Sequence, residues 1–324
     1  MPDRLKGILM AAGSASLWGL MGIFTRVLGA AGYTSLDVAY LRCLLAGVGL
    51  LVFHGLRNPR VLRVEPRGIG ISLLFGAATY TVGFLSYAFA VRRIPVAMAA
   101  VLSFMSPVWV CLIGLAVFRE RVEKRQAASI ALCLAGAVMI TDLPGGGLRF
   151  DALGMLGAVM NGVGIAVQVS VPRYFADRYQ RDTMLAYGFT GAAAFMALFA
   201  GHGRIIRGFS GPGGWAVLGS VLALGIPCTL IANSCFVKSS CYIKPAAACI
   251  LSALEVVVST IVGVLLFRET MTPVQMAGGV IVVAASLGME LLDRGAPPSG
   301  GRELIGKGDG RDPARRRRDG SACH

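Results

Sequence analysis

The sequence predicts an all-α integral membrane protein with ten transmembrane helices, arranged as two inverted five-helix repeats. Three observations support this fold class: an apolar composition, an internal repeat of nearly half the chain, and a one-sided distribution of Lys and Arg. Of the 324 residues, 55% are hydrophobic and only 15% are charged, and the mean hydropathy is +0.69. A soluble chain of this length could not bury so much apolar surface.

The internal repeat is visible at a fixed offset. The segment Phe118-Arg119-Glu120 recurs 149 residues later as Phe267-Arg268-Glu269. The same offset relates, without a gap, Ile94 to Ile243, Ala97 to Ala246, Gly114 to Gly263, Gln126 to Gln275 and Ala135 to Ala284. A long repeat in an apolar chain is typical of a duplicated membrane transporter. We therefore expect a first repeat at 1–142, a linker at 143–151, a second repeat at 152–292 and a disordered basic tail at 293–324.

The apolar segments predict ten spans, since a transmembrane helix needs roughly 20 apolar residues. We expect them at 7–28, 36–54, 68–91, 95–118, 125–142, 152–171, 183–201, 214–237, 245–267 and 273–292. The first span is too long for a cleaved signal peptide and is read as an uncleaved helix.

Lys and Arg in the connecting loops predict the orientation, because cytoplasmic loops carry an excess of these residues. One side holds most of them, including Arg57, Arg60, Arg63, Arg67 and the run at 315–318. That side is therefore expected to be cytoplasmic, with both termini inside the cell. Five helices is an odd number, so the second repeat enters the membrane from the opposite side.

The formal net charge of +14 does not indicate nucleic-acid binding, because the basic residues lie in loops and in the tail. That tail is expected to contact anionic lipids. The eight Cys form no CxxC motif, the three His are scattered, and neither a Walker motif nor a phosphate-binding Gly-rich loop occurs. The sequence predicts neither a metal site nor a cofactor. It predicts a monomer or a weak homodimer.

Two charged residues are placed deep within predicted helices. Glu255 lies about ten residues from either end of the ninth span, where burying a charge is expensive. It is either a proton-titrating group in a central cavity or a neutral group that fixes two helices, since low dielectric favours the uncharged acid. Arg42, in the second span, is either a clamp for an anion or a side chain that extends to the surface, with Asp37 as the alternative partner.

Pro107 removes the hydrogen bond to the carbonyl of Ser103 in the fourth span, and Ser103 and Ser106 add hydroxyls beside it. A carbonyl freed at mid-membrane must bind protein, water or ligand. Pro227 has the same effect in the eighth span. Either proline is a site feature or a simple packing kink.

The remaining candidates are aromatic and amide groups. Tyr80 and Tyr87 share a face of the third span, Asn233 lies in the eighth, and Trp18 lies in the first beside Ser14. Such groups suit a small polar or amphipathic solute in a cavity, or else they form interhelical contacts. The predicted substrate-binding set is Trp18, Tyr80, Tyr87, Ser103, Ser106, Asn233 and Glu255, with Arg42 as an anion clamp. Because Ser106 and Glu255 are 149 residues apart, we expect them to face one cavity from opposite sides.

These motifs resemble the drug/metabolite transporter superfamily in its EamA-type branch, over residues 7–292. The resemblance rests on Ser16-Leu17-Trp18-Gly19, Leu41-Arg42, Pro107 and the two Phe-Arg-Glu endings with a following Gln. The ninth helix departs from the family pattern, because Glu255 is followed by Val256 rather than Pro, so a symmetric kink is not expected.

The resemblance implies secondary transport of a small metabolite, amino-acid-like solute or drug, with export expected, across the cell membrane and without enzymatic activity. The alternative function is an integral-membrane enzyme or flippase that acts on a lipid or isoprenoid. Such an enzyme would need acids, His or Arg clustered near one face, and the chain lacks that cluster.

Overall fold

The computed structural model describes residues 3–90, 92–94, 99, 102–103, 105–119, 122–140, 151–175, 178–211, 213–243, 245–267 and 272–292. Within these residues the chain is helical and contains no strand, as the composition predicts. The predicted tail, most of the predicted linker, Pro95, Ala97 and both glutamates of the Phe-Arg-Glu repeat lie outside the described residues.

The described helices follow the predicted apolar segments closely. In the first half they are α1 (Asp3–Gly19), α2 (Met21–Ala30), α3 (Ser35–Arg57), α4 (Pro66–Gly76), α5 (Val82–Ala90), α6 (Ser106–Phe118) and α7 (Lys124–Ile140). In the second half they are α8 (Ala152–Tyr174), α9 (Arg181–Ala197), α10 (His202–Ser210), α11 (Gly214–Gly225), α12 (Ala232–Ser239), α13 (Pro245–Ser252), α14 (Leu254–Phe267) and α15 (Pro273–Leu292).

By length and composition, six of the described helical segments can cross a membrane, or seven if a bent pair counts as one span. The six are Asp3–Ala30, Ser35–Arg57, Pro66–Ala90, Ala152–Pro172, Gly214–Ser239 and Ala247–Leu266. Two further apolar helices, Ser106–Val117 and Pro273–Ala285, are shorter. The chain is therefore a multi-pass membrane protein, and the count of ten spans stays a prediction.

The bent pair differs from the predicted seventh span, which continued to residue 201. The helix ends at Ala197, and the chain turns by 100° into a second helix, His202–Ser210. The predicted spans have a loop at that place. Two hydrogen bonds to Asp37 on α3 hold this corner: the Gly201 N–H donates to Oδ1 at 2.8 Å, and Arg204 Nε donates to Oδ2 at 2.7 Å. A tertiary contact thus overrides the apolar run.

A π-helical segment interrupts the third and eighth apolar segments at equivalent places. The first covers Ala77–Thr81 and the second Ile226–Ile231, and their starts are 149 residues apart. Pro227 lies in the second, whereas Ala78 holds the equivalent position in the first. Proline is therefore not needed for this irregularity, which frees backbone groups from the regular helical ladder.

The fourth and ninth apolar segments are also both interrupted. α6 starts at Ser106 after a tight turn, in which the Met105 N–H bonds the carbonyl of Leu102 at 3.3 Å. α13 ends at Ser252, and the Ala253 N–H bonds the carbonyl of Ile250 at 3.1 Å before α14 starts. At both places a backbone N–H therefore bonds the carbonyl three residues earlier, with the proline in the first half and without it in the second.

The two halves exchange equivalent contacts. Asn161 of α8 donates to the carbonyl of Gly83 on α5 at 2.8 Å. The first helices of the two halves are offset by 147 residues, so the counterpart of Asn161 is Ser14 on α1, which donates to the carbonyl of Ala232 on α12 at 2.8 Å. Gly83 and Ala232 are themselves 149 residues apart. Each half therefore binds the other through the same surface, which is the pattern of a two-fold relation.

Two glycines allow the first helix of each half to pack closely against the other half. A Cβ on Gly7 would lie 2.7 Å from the Cβ of Tyr242, and one on Gly154 would lie 2.9 Å from the Cβ of Arg93. Real Cβ atoms do not approach so closely, so a side chain at either glycine would separate the first helix of one half from the other half.

One closely packed part of the core lies where α3, α4 and α9 meet. Fully buried Phe189, Met184 and Met196 of α9 pack there against Cys43 and Phe75. Elsewhere large apolar side chains face outward, as they do in a protein surrounded by lipid, among them Leu74, Leu265 and Val280.

Candidate functional site

A chain of polar side chains crosses the interior between α3 and α8. Arg42 Nε, on α3, donates to Thr229 Oγ1 at 3.0 Å. Thr229 belongs to the second π-helical segment, is fully buried, and donates to the carbonyl of Leu224 at 2.7 Å. One turn later Asn233 Nδ2 donates to the Thr229 carbonyl at 2.8 Å, and its Oδ1 accepts from Gln168 Nε2 of α8. The irregular turn therefore positions a guanidinium group inside the bundle.

The Arg42 guanidinium points into the bundle. Its Cζ lies 4.8 Å from the ring centroid of Phe84 on α5, a cation–π contact. Asp37, the alternative partner considered from the sequence, is bound by Arg204 and Thr34. The side chain therefore contacts α5 and the second π-helical segment, and its role as an anion clamp stays a prediction.

Glu255 lies directly after the break between α13 and α14, in the first turn of α14. It is partly buried and interacts electrostatically with Arg42 and Tyr87. Among the described residues it makes no ion pair within 4.0 Å and no side-chain hydrogen bond. A carboxyl group and a guanidinium group thus share the interior without neutralising one another by direct contact.

Tyr80 lies in the first π-helical segment and is 3% exposed. Its ring stacks on Phe189, with the centroids 4.3 Å apart. Its buried hydroxyl lies beside Gln168, yet makes no hydrogen bond of standard geometry. The neighbouring hydroxyls of Thr79 and Thr81 are also buried without a partner in the described structure. Three consecutive hydroxyls of one turn are therefore unsatisfied by the residues that the structure describes.

The other predicted site residues have different surroundings. Trp18 of α1 packs edge-on against Phe236, with the centroids 4.9 Å apart. Ser103 donates to backbone carbonyls of Ala99 at 2.9 Å and Ala158 at 3.3 Å, so it joins two helices. Tyr87 is half-buried and interacts electrostatically with Glu255.

Ser106 is buried at the start of α6, the repeat equivalent of the Glu255 position. No contact between Ser106 and Glu255 places them in one cavity, and that expectation stays a prediction. The structure brings Arg42, Asn233, Tyr80, Tyr87 and Glu255 into one polar region by direct bonds or electrostatic interaction.

Gln168 and Phe84 are site residues that the sequence reasoning missed. Gln168 is seven residues after Asn161, so the two amides share one face of α8. That spacing is the sequence feature that could have identified Gln168. No sequence feature distinguishes Phe84, because an aromatic residue is common in an apolar helix.

Ion pairs join helices at each end of the bundle. At the end where α3 finishes and α9 starts, called the arginine-rich end here, Asp182 Oδ2 lies 3.1 Å from Lys238 Nζ and 3.8 Å from His54 Nε2. At the opposite end, buried Asp37 holds Arg204 at 2.7 Å. The two aspartates occupy the first turns of α3 and α9, which are equivalent helices of the two halves. Each end therefore has its own ionic contact.

The fold and the polar interior define a duplicated, multi-pass membrane protein of the transporter class. The chain belongs to the EamA-like transporter family, whose sequence model matches residues 5–142 and again residues 152–291. This confirms the family resemblance seen in the sequence.

Two relatives illustrate the similarity. An uncharacterized transporter of Archaeoglobus fulgidus is 28% identical over 275 residues, which cover 85% of this chain and 92% of that protein. A solved structure titled "Crystal structure of protein" superposes with a TM-score of 0.72 at 21% identity, and covers 89% of this chain and 97% of that chain. The second similarity shows the fold alone.

Proposed function

We propose that this protein is a secondary active transporter that exports a small metabolite, amino-acid-like solute or drug by alternating access, with coupling to protons. It would have ten spans in the cell membrane with both termini in the cytoplasm. The observation that carries the proposal is the Arg42–Glu255 arrangement: opposite charges in the interior, within electrostatic reach and without a direct ion pair.

Arg42 supplies the substrate contact in this proposal. Among the described residues, its side chain makes one hydrogen bond, from Nε to Thr229. The two terminal nitrogens therefore remain to bind a carboxylate or another planar anion with two parallel hydrogen bonds. Phe84 and Tyr80 supply apolar and aromatic surface beside that group.

Glu255 supplies the proton step. A carboxylate at this position attracts the Arg42 cation and competes with an anionic substrate for it. Protonation removes that competition, so proton binding and substrate binding at Arg42 become linked. The contacts Asp37–Arg204 and Asp182–Lys238 would open in turn as the interior faces one side and then the other.

The test is Glu255→Gln, which keeps the shape and removes the titration. In proteoliposomes we expect uphill transport driven by a pH gradient to be abolished, while substrate counterflow without a gradient persists. The matched control is Glu123→Gln, which changes an exposed carboxylate outside the helices. Unchanged rate and unchanged pH dependence in Glu255→Gln would show that this residue only holds helices together.

The orientation has a separate test. Single cysteines are placed at positions 3 and 320 in a chain without native cysteines, and are labelled in intact cells with a membrane-impermeant reagent. Both positions are expected to be protected until the cells are opened. Labelling of either one in intact cells contradicts the cytoplasmic placement of that terminus.

A further inference from the structure

A polar cavity lies at the arginine-rich end, away from the central chain of polar side chains. It has a volume of about 420 Å³ and opens between the α3–α4 connection and the start of α9. Four arginines line it, Arg60, Arg63, Arg67 and Arg178, against one carboxylate, Glu65. Cationic side chains that converge on a concave surface concentrate positive potential there.

The floor of this cavity is built from packed, buried residues. Thr183 Oγ1 of α9 donates to the carbonyl of Val61 at 2.6 Å, which ties α9 to the α3–α4 connection. The buried Tyr179 ring packs so closely on Gly68 that a Cβ there would lie 2.5 Å from its Cε1. The arginines therefore project from a fixed frame.

The four arginines are not committed to carboxylates of the protein. In the described part of the chain, none of them makes an ion pair within 4.0 Å. Other arginines of the same chain do so, for example Arg93 with Asp151 at 3.1 Å and Arg204 with Asp37 at 2.7 Å. The guanidinium groups of the cavity are thus available to an external anion.

Two helix N-termini add to the positive potential. α4 starts at Pro66 and α9 at Arg181, and their N-cap residues, Glu65 and Gln180, line the cavity. Neither N-cap side chain makes a capping hydrogen bond. First-turn N–H groups of a helix attract anions. The contribution of α4 is the smaller one, because Pro66 has no N–H and the Gly68 N–H already bonds the Glu65 carbonyl at 2.8 Å. If these arginines served only to orient the chain in the membrane, they would need neither a cavity nor uncapped helix N-termini beside that cavity.

We propose that this cavity is a binding site for a phosphate group, at a place separate from the transport pathway. Arginine forms two parallel hydrogen bonds with phosphate. The cavity has four guanidinium groups and one carboxylate, so its positive charges outnumber its negative charge. The phosphate comes either from the headgroup of an anionic lipid in the adjoining leaflet or from a soluble phosphorylated molecule. Both sources present the same oxygens to the arginines.

The experiment uses the full-length protein purified in a neutral detergent. Three ligands are titrated separately: inorganic phosphate, a short-chain phosphatidylglycerol and, as a lipid without phosphate, a short-chain diacylglycerol. The thermal unfolding midpoint reports stabilisation, and native mass spectrometry reports the number of lipids that remain bound. The cavity variant is Arg63→Gln with Arg178→Gln, and the matched control is Arg92→Gln with Arg207→Gln. Arg92 and Arg207 are exposed arginines at the other predicted side of the membrane.

We expect saturable stabilisation of the wild type by an anionic ligand, weakened about tenfold or more in the cavity variant and unchanged in the control. Stabilisation by phosphatidylglycerol alone identifies a lipid headgroup, whereas stabilisation by inorganic phosphate as well identifies the phosphate itself. If the cavity variant does not fold, Arg60→Gln with Arg67→Gln takes its place. No saturable effect of either anion, an equal effect of the diacylglycerol, or an equal loss in the control overturns the proposal.

Discussion

The two π-helical segments occupy equivalent positions in the two halves and differ in how their hydroxyl groups are used. In the second segment, Thr229 donates to Leu224, accepts from Arg42 and, through its carbonyl, accepts from Asn233. In the first segment, the hydroxyls of Thr79, Tyr80 and Thr81 are buried without a hydrogen-bond partner in the described structure. The duplication has kept one backbone shape and given its two copies different chemistry: one copy fixes a cation, and the other presents unsatisfied donors.

The helix breaks show the same division. The first half places Ser106 and Pro107 where the second half places Glu255 and Val256. Both helices are interrupted, although only one has the proline. Because the break does not depend on proline, the second copy could acquire a carboxyl group at the site without losing the backbone shape that exposes it.

The largest effect is expected from Arg42→Lys, which keeps the charge and removes the planar group that the second segment positions. Loss of two charge-assisted hydrogen bonds corresponds to about a ten- to hundredfold weaker substrate affinity. Counterflow at varied substrate concentration measures the change, with Arg207→Lys as the exposed control. Equal transport by the Arg42→Lys protein would mean that any cation suffices, and that Arg42 is not a bidentate clamp.

The comparison of the two segments is tested most directly by a pair of isosteric changes. Thr229→Val removes the acceptor of Arg42 Nε, so the free energy of unfolding in micelles should fall by about 1–3 kcal/mol. Thr81→Val removes a hydroxyl without a partner in the described structure, so stability should be unchanged or slightly higher. Denaturant unfolding and ligand binding are measured on both proteins. A larger stability loss for Thr81→Val than for Thr229→Val contradicts the assignment of roles.

The smallest effect concerns the junction between the halves. The pKa of Asp151 lies below its ordinary value because it accepts hydrogen bonds from the Gly154 N–H and from Arg93. A lowered pKa in the folded state stabilises the protein above the ordinary value of about 3.9, and this contribution is lost as the pH falls through the folded-state pKa. Asp151→Asn should therefore lower the unfolding midpoint slightly at neutral pH, and the two proteins should converge in acid. A constant difference across the pH range would exclude an ionic origin.

Much of this architecture could be predicted from the sequence, because apolar runs and a fixed offset are properties of the chain itself. The bend after Ala197 could not, since Phe199 and Ala200 continue the apolar run and the corner depends on Asp37, 164 residues away from Gly201. The residues of the π-helical segments do not differ in type from those of the helices around them, so the sequence could not locate these segments. The inward direction of Arg42 depends on Thr229, 187 residues later in the chain, so periodicity could place the residue in a span but not orient it.

The exchanged bonds between the halves have a consequence for biogenesis. The carbonyl of Gly83 on α5 receives its hydrogen bond from Asn161, and the carbonyl of Ala232 on α12 receives its bond from Ser14. During synthesis Ala90, the last residue of α5, leaves the ribosome 71 residues before Asn161. The third apolar segment therefore enters the bilayer with this partner still missing. The nascent first half is thus an incomplete folding unit, and the arrival of α8 is the step at which the two halves begin to stabilise each other.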